Sequence, residues 1–240
     1  MQEKRAQFMN GLKNGLPIGL GYLSVSFAFG AQATIAGVPW FMAVFISMTN
    51  LTSAGQLAGL TVIAGLGTVL EMILTQLVIN ARYFLMSITL SQKLDGNFSL
   101  RHRLLCSAFI TDEIFAVASA RPKPFGRAFF YGLVILPYVG WTLGTLLGGV
   151  AVGFMPTQVT TALGLALYAM FIAIIIPPST KSRGVFFVIA LASAISCFLY
   201  YVPWFDGLPV GMKYIISALV SAVICAGVFP VKTKENGGCE

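Results

Sequence analysis

The 240-residue chain is 57% hydrophobic and only 10% charged, against about 25% charged in soluble globular domains, which excludes a fully water-facing surface. Its net charge of +7 comes from 15 Lys and Arg against 8 Asp and Glu. These basic residues sit in short connections between apolar blocks, which orients a membrane protein in its bilayer and gives no support to a nucleic-acid partner.

Apolar blocks run near 16–37, 40–66, 68–91, 128–152, 159–177, 185–202 and 212–229, with a weaker one at 104–120. A helix of about 20 residues crosses about 30 Å of hydrocarbon, so the pattern predicts an all-α, polytopic membrane protein. Lys4, Arg5 and Lys13 ahead of the first block, with Ala31-Gln-Ala33 inside it, have the outline of a signal sequence. The block is longer than a signal core and many spans follow, so it is read as an uncleaved first helix.

Block 40–66 is broken at Asn50-Leu-Thr-Ser-Ala-Gly-Gln56. Small side chains there expose backbone N–H groups, and a broken helix ending at this point can present them to a carboxylate. Asn50, Ser53, Gly55 and Gln56 are therefore candidate substrate contacts, with tight helix packing as the alternative role of such small residues.

Block 68–91 carries Glu71 and Arg82 inside apolar sequence, where ionisable groups are costly and are functional or paired. Eleven residues separate them, which puts both on one face but about 16 Å apart along the axis, too far to pair. Thr75 shares their face, and Gln76, Asn80 and Tyr83 form a second polar stripe, serving either substrate contact or assembly. Arg82 lies near mid-membrane and needs an anion there, since arginine stays protonated.

Block 104–120 contains Asp112 and Glu113, adjacent carboxylates that repel when both are ionised, which makes one of them a candidate proton carrier alongside Glu71. Pairing with Arg82 or with the neighbouring basic loops is the alternative, and both can hold.

Basic clusters at 4–13, 93–103, 121–127, 181–183 and 232–234, and their absence from 33–39, 153–158 and 203–211, assign the first set to the cytoplasm and the second to the outside. All Lys and Arg but Arg82 and Lys213 then fall on the cytoplasmic side if 40–66 and 104–120 are re-entrant. The expectation is six full spans plus two re-entrant segments with a cytoplasmic N-terminus, and the loops around Asp95 and Lys123 both inside. Seven or eight plain spans are the alternative. Gly15-Leu-Pro-Ile18 ahead of the first span recurs as Gly207-Leu-Pro-Val210 ahead of the last, too faint a repeat to imply two-fold architecture.

Cys106, Cys197, Cys225 and Cys239 have no paired-ligand spacing, and the first three read as small packing residues inside apolar blocks. His102, the only histidine, sits in a basic loop and is expected to be solvated. With no nucleophile motif and no metal-ligand pattern, no cofactor, metal or enzymatic activity is expected.

Gly15-Leu-Pro-Ile-Gly-Leu20, the run ending Ser53-Ala-Gly-Gln56, Ile79-Asn-Ala-Arg-Tyr-Phe-Leu-Met86 and Thr111-Asp-Glu-Ile-Phe-Ala116 resemble the AzlC family along most of the chain. This chain departs from the usual family pattern at Ser53-Ala-Gly-Gln56 and at Tyr83, where a histidine is common. The resemblance implies a bacterial inner-membrane protein, the large subunit of an exporter of leucine, isoleucine and valine, sometimes methionine, working with a small AzlD-like membrane subunit. A zwitterionic substrate suits the residues: Arg82 or the hairpin N–H groups for its carboxylate, the acidic residues for its ammonium, and Phe27, Phe29 or Met86 for its side chain. A channel would show a ring of like charges or a repeated filter, and a structural scaffold gains little from buried charge.

Overall fold

The computed structural model describes residues 2–96, 98–121 and 124–229. Within them the chain is all-helical, with one isolated bridge between Leu94 and Phe125. The ten α-helices are α1 (Gln2–Ile35), α2 (Trp40–Thr49), α3 (Ala54–Ala64), α4 (Val69–Ser91), α5 (Leu100–Ser107), α6 (Asp112–Ser119), α7 (Arg127–Ala151), α8 (Thr157–Lys181), α9 (Arg183–Tyr201) and α10 (Val210–Val228). Five of them (α1, α4, α7, α9 and α10) are long and apolar enough to cross a membrane. α8 is 25 residues long. Dozens of large apolar side chains, among them Leu20, Phe45, Leu77, Phe84 and Phe198, face outward, as a lipid solvent requires.

The centre of the fold is the pair α1 and α7. Without a hydrophobic drive between helices in lipid, close packing of small residues does the work, and both helices carry glycines every fourth position. A Cβ on Gly11 would lie 2.7 Å from the backbone nitrogen of Leu133, and one on Gly19 would lie 2.8 Å from the Leu136 carbonyl oxygen. On the facing helix, Gly140, Gly144 and Gly148 lie against the backbones of Gly19, Leu23 and Phe27. Residue numbers rise together along this seam, so the two helices run parallel.

α4 runs the other way. Leu90 near its end joins the apolar cluster containing Phe129 and Phe130 at the start of α7, while its first turn meets Gly211 at the start of α10.

The two weak points of the sequence become two folded-back helix pairs. α2 starts with Trp40 against Gly149, near the end of α7, and descends until the Met48 carbonyl accepts from the Tyr138 hydroxyl at 3.3 Å. The chain breaks at Asn50, which is extended, and at Ser53, whose φ of +35 is rare for an L residue. α3 then returns antiparallel to α4, with Gly55 beside Gln76 and Asn80 and Gly59 beside Met72. At 10 and 11 residues, each arm is about 15 Å long, half the hydrocarbon thickness.

Block 104–120 is likewise two eight-residue helices, α5 and α6, broken between them. The ends of this segment come together: Leu94 bridges Phe125, and the Lys93 ammonium donates to the carbonyls of Ser119 and Arg121.

Three sequence expectations change. Gly15-Leu-Pro-Ile18 lies inside α1, which begins at Gln2, whereas its echo at Gly207 is a turn capped by Pro209; four residues cannot set conformation against different surroundings. His102 is on α5, where its Nδ1 is 2.7 Å from the Tyr131 hydroxyl and its Nε2 is 3.0 Å from Arg127, so it is engaged by α7 and not simply solvated. Cys106 is buried and Cys225 half-buried, as packing residues are, but Cys197 points outward from α9; Cys239 and Lys123 lie outside the described residues.

Candidate functional site

The tips of the two broken pairs meet at one cavity of about 500 Å³, within the range of small-molecule sites. Ser53 and Ala54 reach it from the first tip, Asp112 and Glu113 from the second, and Arg82 from the middle of α4. Pro17, Ile18, Tyr22 and Val25 of α1, Trp141 of α7 and Ile175 of α8 supply the remaining wall.

Each tip is the start of a helix. Ser53 precedes α3, and Thr111 caps α6, its hydroxyl accepting from the Ile114 N–H at 3.3 Å. Asp112 and Glu113 thus stand in the first turn of α6, where the helix dipole favours negative charge. Orphan N–H groups of both helices are directed toward this level of the fold.

Arg82 is the cationic element. One Nη lies 2.9 Å from Asp112 Oδ2, the other donates to the Tyr83 hydroxyl at 3.1 Å, and the guanidinium lies 4.9 Å from the Tyr83 ring centroid. Its Nε is buried with no hydrogen-bond partner among the described residues. Glu113 is held differently: the Tyr22 hydroxyl, on α1, makes a short hydrogen bond to its Oε2 and lies 2.6 Å from Thr111 Oγ1.

Behind the cavity a buried polar chain fixes the first tip to the α1–α7 core. The Trp141 indole N–H donates to Gln56 Oε1 at 2.9 Å, and the Gln56 amide donates to Ser47 Oγ at 2.6 Å. Ser47 in turn shares a 2.7 Å hydrogen bond with Thr145. Tyr22 packs edge-on against Trp141, ring centroids 5.0 Å apart, and shares an apolar cluster with it and Leu51 of the first tip, so it links the two tips.

Of the residues singled out from sequence, Ser53, Arg82, Asp112 and Glu113 line this cavity together. Gln56 and Gly55 support it: a Cβ at Gly55 would sit 2.6 Å from Thr52 Oγ1 and 2.9 Å from Gln76 Oε1, so a larger residue there would displace these polar side chains. Asn50 accepts from Thr52 at 2.6 Å and faces a smaller pocket on the far side of the hairpin. Asn80 donates to Gln76 at 2.9 Å and lines a shallow groove on the outer face of α4.

Glu71 is elsewhere altogether. It is 5% exposed, and its carboxylate accepts the Gly211 N–H at 2.6 Å, tying α4 to the start of α10. None of Phe27, Phe29 and Met86 lines the cavity. Phe29 is packed with Ala33 and Val38, and Met86 against the Phe129 cluster; the apolar wall is Ile18, Val25, Trp141 and Ile175 instead.

Sequence reasoning missed Tyr22, Thr111 and Trp141. A signal existed for two of them, because Tyr and Trp favour the membrane interfaces and these two fall in the middle of apolar blocks.

No solved structure matches the chain. It is similar to the inner membrane protein YgaZ of Escherichia coli (strain K12), 26% identical over 200 residues that cover 80% of this chain and 81% of that protein. An uncharacterized membrane protein of Archaeoglobus fulgidus is 30% identical over 184 residues, covering 76% and 80%. One from Helicobacter pylori (strain 26695) is 25% identical over 175 residues, covering 70% and 75%. The family described as AzlC protein matches residues 17–155, which hold α1 from Pro17 onward, both broken helix pairs and α7. This chain is an all-helical membrane protein, and it belongs to the AzlC family.

Proposed function

We propose that the chain is the transport subunit of a proton-coupled exporter of branched-chain amino acids in the bacterial cytoplasmic membrane, with six crossings and the two folded-back pairs entering from opposite faces. The observation that carries this reading is the meeting of both helix tips with Arg82, Asp112 and Glu113 on one cavity. Irregular backbone at membrane depth survives where it lines a cavity, and transporters bind substrate at such breaks.

The cavity offers complementary places for each part of a zwitterion. The Arg82 guanidinium and the start of α3 suit its carboxylate, the acidic pair its ammonium, and Ile18, Val25, Trp141 and Ile175 a branched aliphatic side chain. A small AzlD-like membrane subunit belongs to this proposal. Its proposed seat is the open groove on α4 lined by Met72, Gln76, Leu77, Asn80 and Phe84, where two amide side chains interrupt an otherwise apolar face.

The test is efflux of labelled leucine, valine and methionine from vesicles containing the chain, with and without the small subunit. An inward proton gradient should accelerate leucine and valine efflux when both subunits are present. Arg82→Lys keeps the charge but loses the planar fork, and should lower efflux about tenfold at equal membrane abundance. Absence of gradient-driven efflux from vesicles of either composition refutes the reading.

A further inference from the structure

Asp112 and Glu113 are neighbours in sequence, yet the fold gives them unlike partners, and that difference separates their roles. Asp112 pairs at 2.9 Å with Arg82, a side chain that does not deprotonate in proteins. Protonating Asp112 would take from that guanidinium its ion-pair partner within the membrane-spanning part of the fold, where an unpaired charge is costly. Glu113 has no such tie. Its partner is the neutral Tyr22 hydroxyl, which also lies 2.6 Å from Thr111 Oγ1.

One hydroxyl hydrogen between two acceptors makes a two-position device. With Glu113 ionised, Tyr22 donates to Oε2, and Thr111 is free to donate its own hydrogen to the Tyr22 oxygen. With Glu113 protonated, its O–H donates to the Tyr22 oxygen, and Tyr22 turns its hydrogen to Thr111. Hydroxyl hydrogens rotate to suit, so the Tyr22–Glu113 hydrogen bond is kept in both protonation states.

Other titratable and charged groups near Glu113 are few. Arg82 and Tyr83 face it from α4, Tyr22 from α1 and Asp112 from its own helix, whereas α7 presents the indole of Trp141, apolar side chains and Tyr138, whose hydroxyl donates to the Met48 carbonyl. Arg82 is already matched in charge by Asp112, so among the described residues of the cavity the charge left to change is that of Glu113.

Resting on the transport reading above, we propose that Glu113 is the carboxylate for which proton and substrate ammonium compete, that Tyr22 is its positioning residue, and that Asp112 is the fixed counter-ion of Arg82. In this exchange a hydronium from the outer side gives its proton to Glu113: an O–H bond of hydronium breaks, an electron pair on Oε forms the new O–H bond, and water leaves. The neutral carboxyl no longer holds the ammonium, and the amino acid departs. On the cytoplasmic side the proton returns to water and an incoming ammonium takes its place.

Infrared difference spectra of the purified complex in lipid vesicles, titrated with pH without substrate, test the assignment directly. A protonated-carboxyl C=O band should titrate in the wild type, vanish in Glu113→Gln, persist in Asp112→Asn and shift in frequency in Tyr22→Phe. Flux in the same vesicles should show Glu113→Gln losing at least about tenfold of its proton-gradient-driven leucine efflux. Glu113→Asp retains an ionisable group and should keep a gradient response if Glu113→Gln proves unstable.

A titrating band that survives Glu113→Gln and vanishes in Asp112→Asn overturns the assignment, as does an unshifted band in Tyr22→Phe. A Glu113 band that titrates in protein that moves no leucine leaves the protonation site standing and refutes the transport reading, together with the competition built on it.

Discussion

Glu71 shows how a buried charge can belong to architecture. Its backbone N–H donates to the Thr68 hydroxyl at 3.1 Å, opening α4, and its carboxylate accepts the Gly211 N–H at the start of α10. One side chain thus joins two helix N-termini, and a single charge serves both dipoles. Glu71→Gln preserves an acceptor oxygen and should change unfolding stability in detergent by less than about 1 kcal/mol, whereas Glu71→Ala strands a buried N–H and should cost about 1–3 kcal/mol. The same two variants read for pH-dependent efflux should keep the wild-type profile; loss of that profile in Glu71→Gln would move Glu71 into the coupling machinery. The rarity of charge in apolar sequence singled out Arg82, Asp112 and Glu113, which the fold brings to one cavity. It could not separate them from Glu71, because the deciding facts are partners contributed from α1, α6 and α10. Tyr22 and Trp141 carried only the signal of interface-favouring aromatics placed inside apolar blocks, and their partners come from other elements.

Among the elements, the α1–α7 seam is the most demanding. Gly140, Gly144 and Gly148 let backbones touch, and a side chain at Gly148 would meet the Phe27 carbonyl carbon at 2.7 Å. Overpacking a filled interface costs about 1–3 kcal/mol and occasionally more. Backbone cannot move aside as a side chain can, so Gly140→Leu should reach or exceed the top of that range. Gly227→Leu, on α10 with open space around it, should leave thermal unfolding and detergent monodispersity unchanged. Equal behaviour of the two variants would show that the seam is not what holds the bundle. Hydropathy blocks located α4, α7, α8, α9 and α10, because span length is tied to bilayer thickness, whereas α1 starts at Gln2, well ahead of its block. The same blocks left it open whether 40–66 and 104–120 each form one helix or two. That is decided by the bend at Asn50–Ser53 and the break after Ser107, which composition only hints at.

For the whole molecule, the parallel run of α1 and α7 limits the topologies. Both helices start on one face, so the chain crosses an even number of times between their starts. α1 and α4 supply two crossings, and the segments at 40–66 and 104–120 must then both cross or both turn back. On the proposed reading, in which α8 crosses as do α7, α9 and α10, the total is six or eight. The fold-back of α3 along α4 and the joining of Leu94 with Phe125 favour six. Two positions separate the cases: Leu66, 93% exposed at the turn after α3, and Gly96, where a Cβ meets nothing within 4 Å. Six crossings place Leu66 outside and Gly96 in the cytoplasm, and eight reverse both. Single cysteines from Leu66→Cys and Gly96→Cys, in a chain stripped of its native cysteines, are treated in intact cells with a membrane-impermeant thiol reagent. Labelling at 66 with protection at 96 is the expected result. The opposite pattern would give eight crossings, and labelling at both or neither would contradict the parity that follows from the glycine seam.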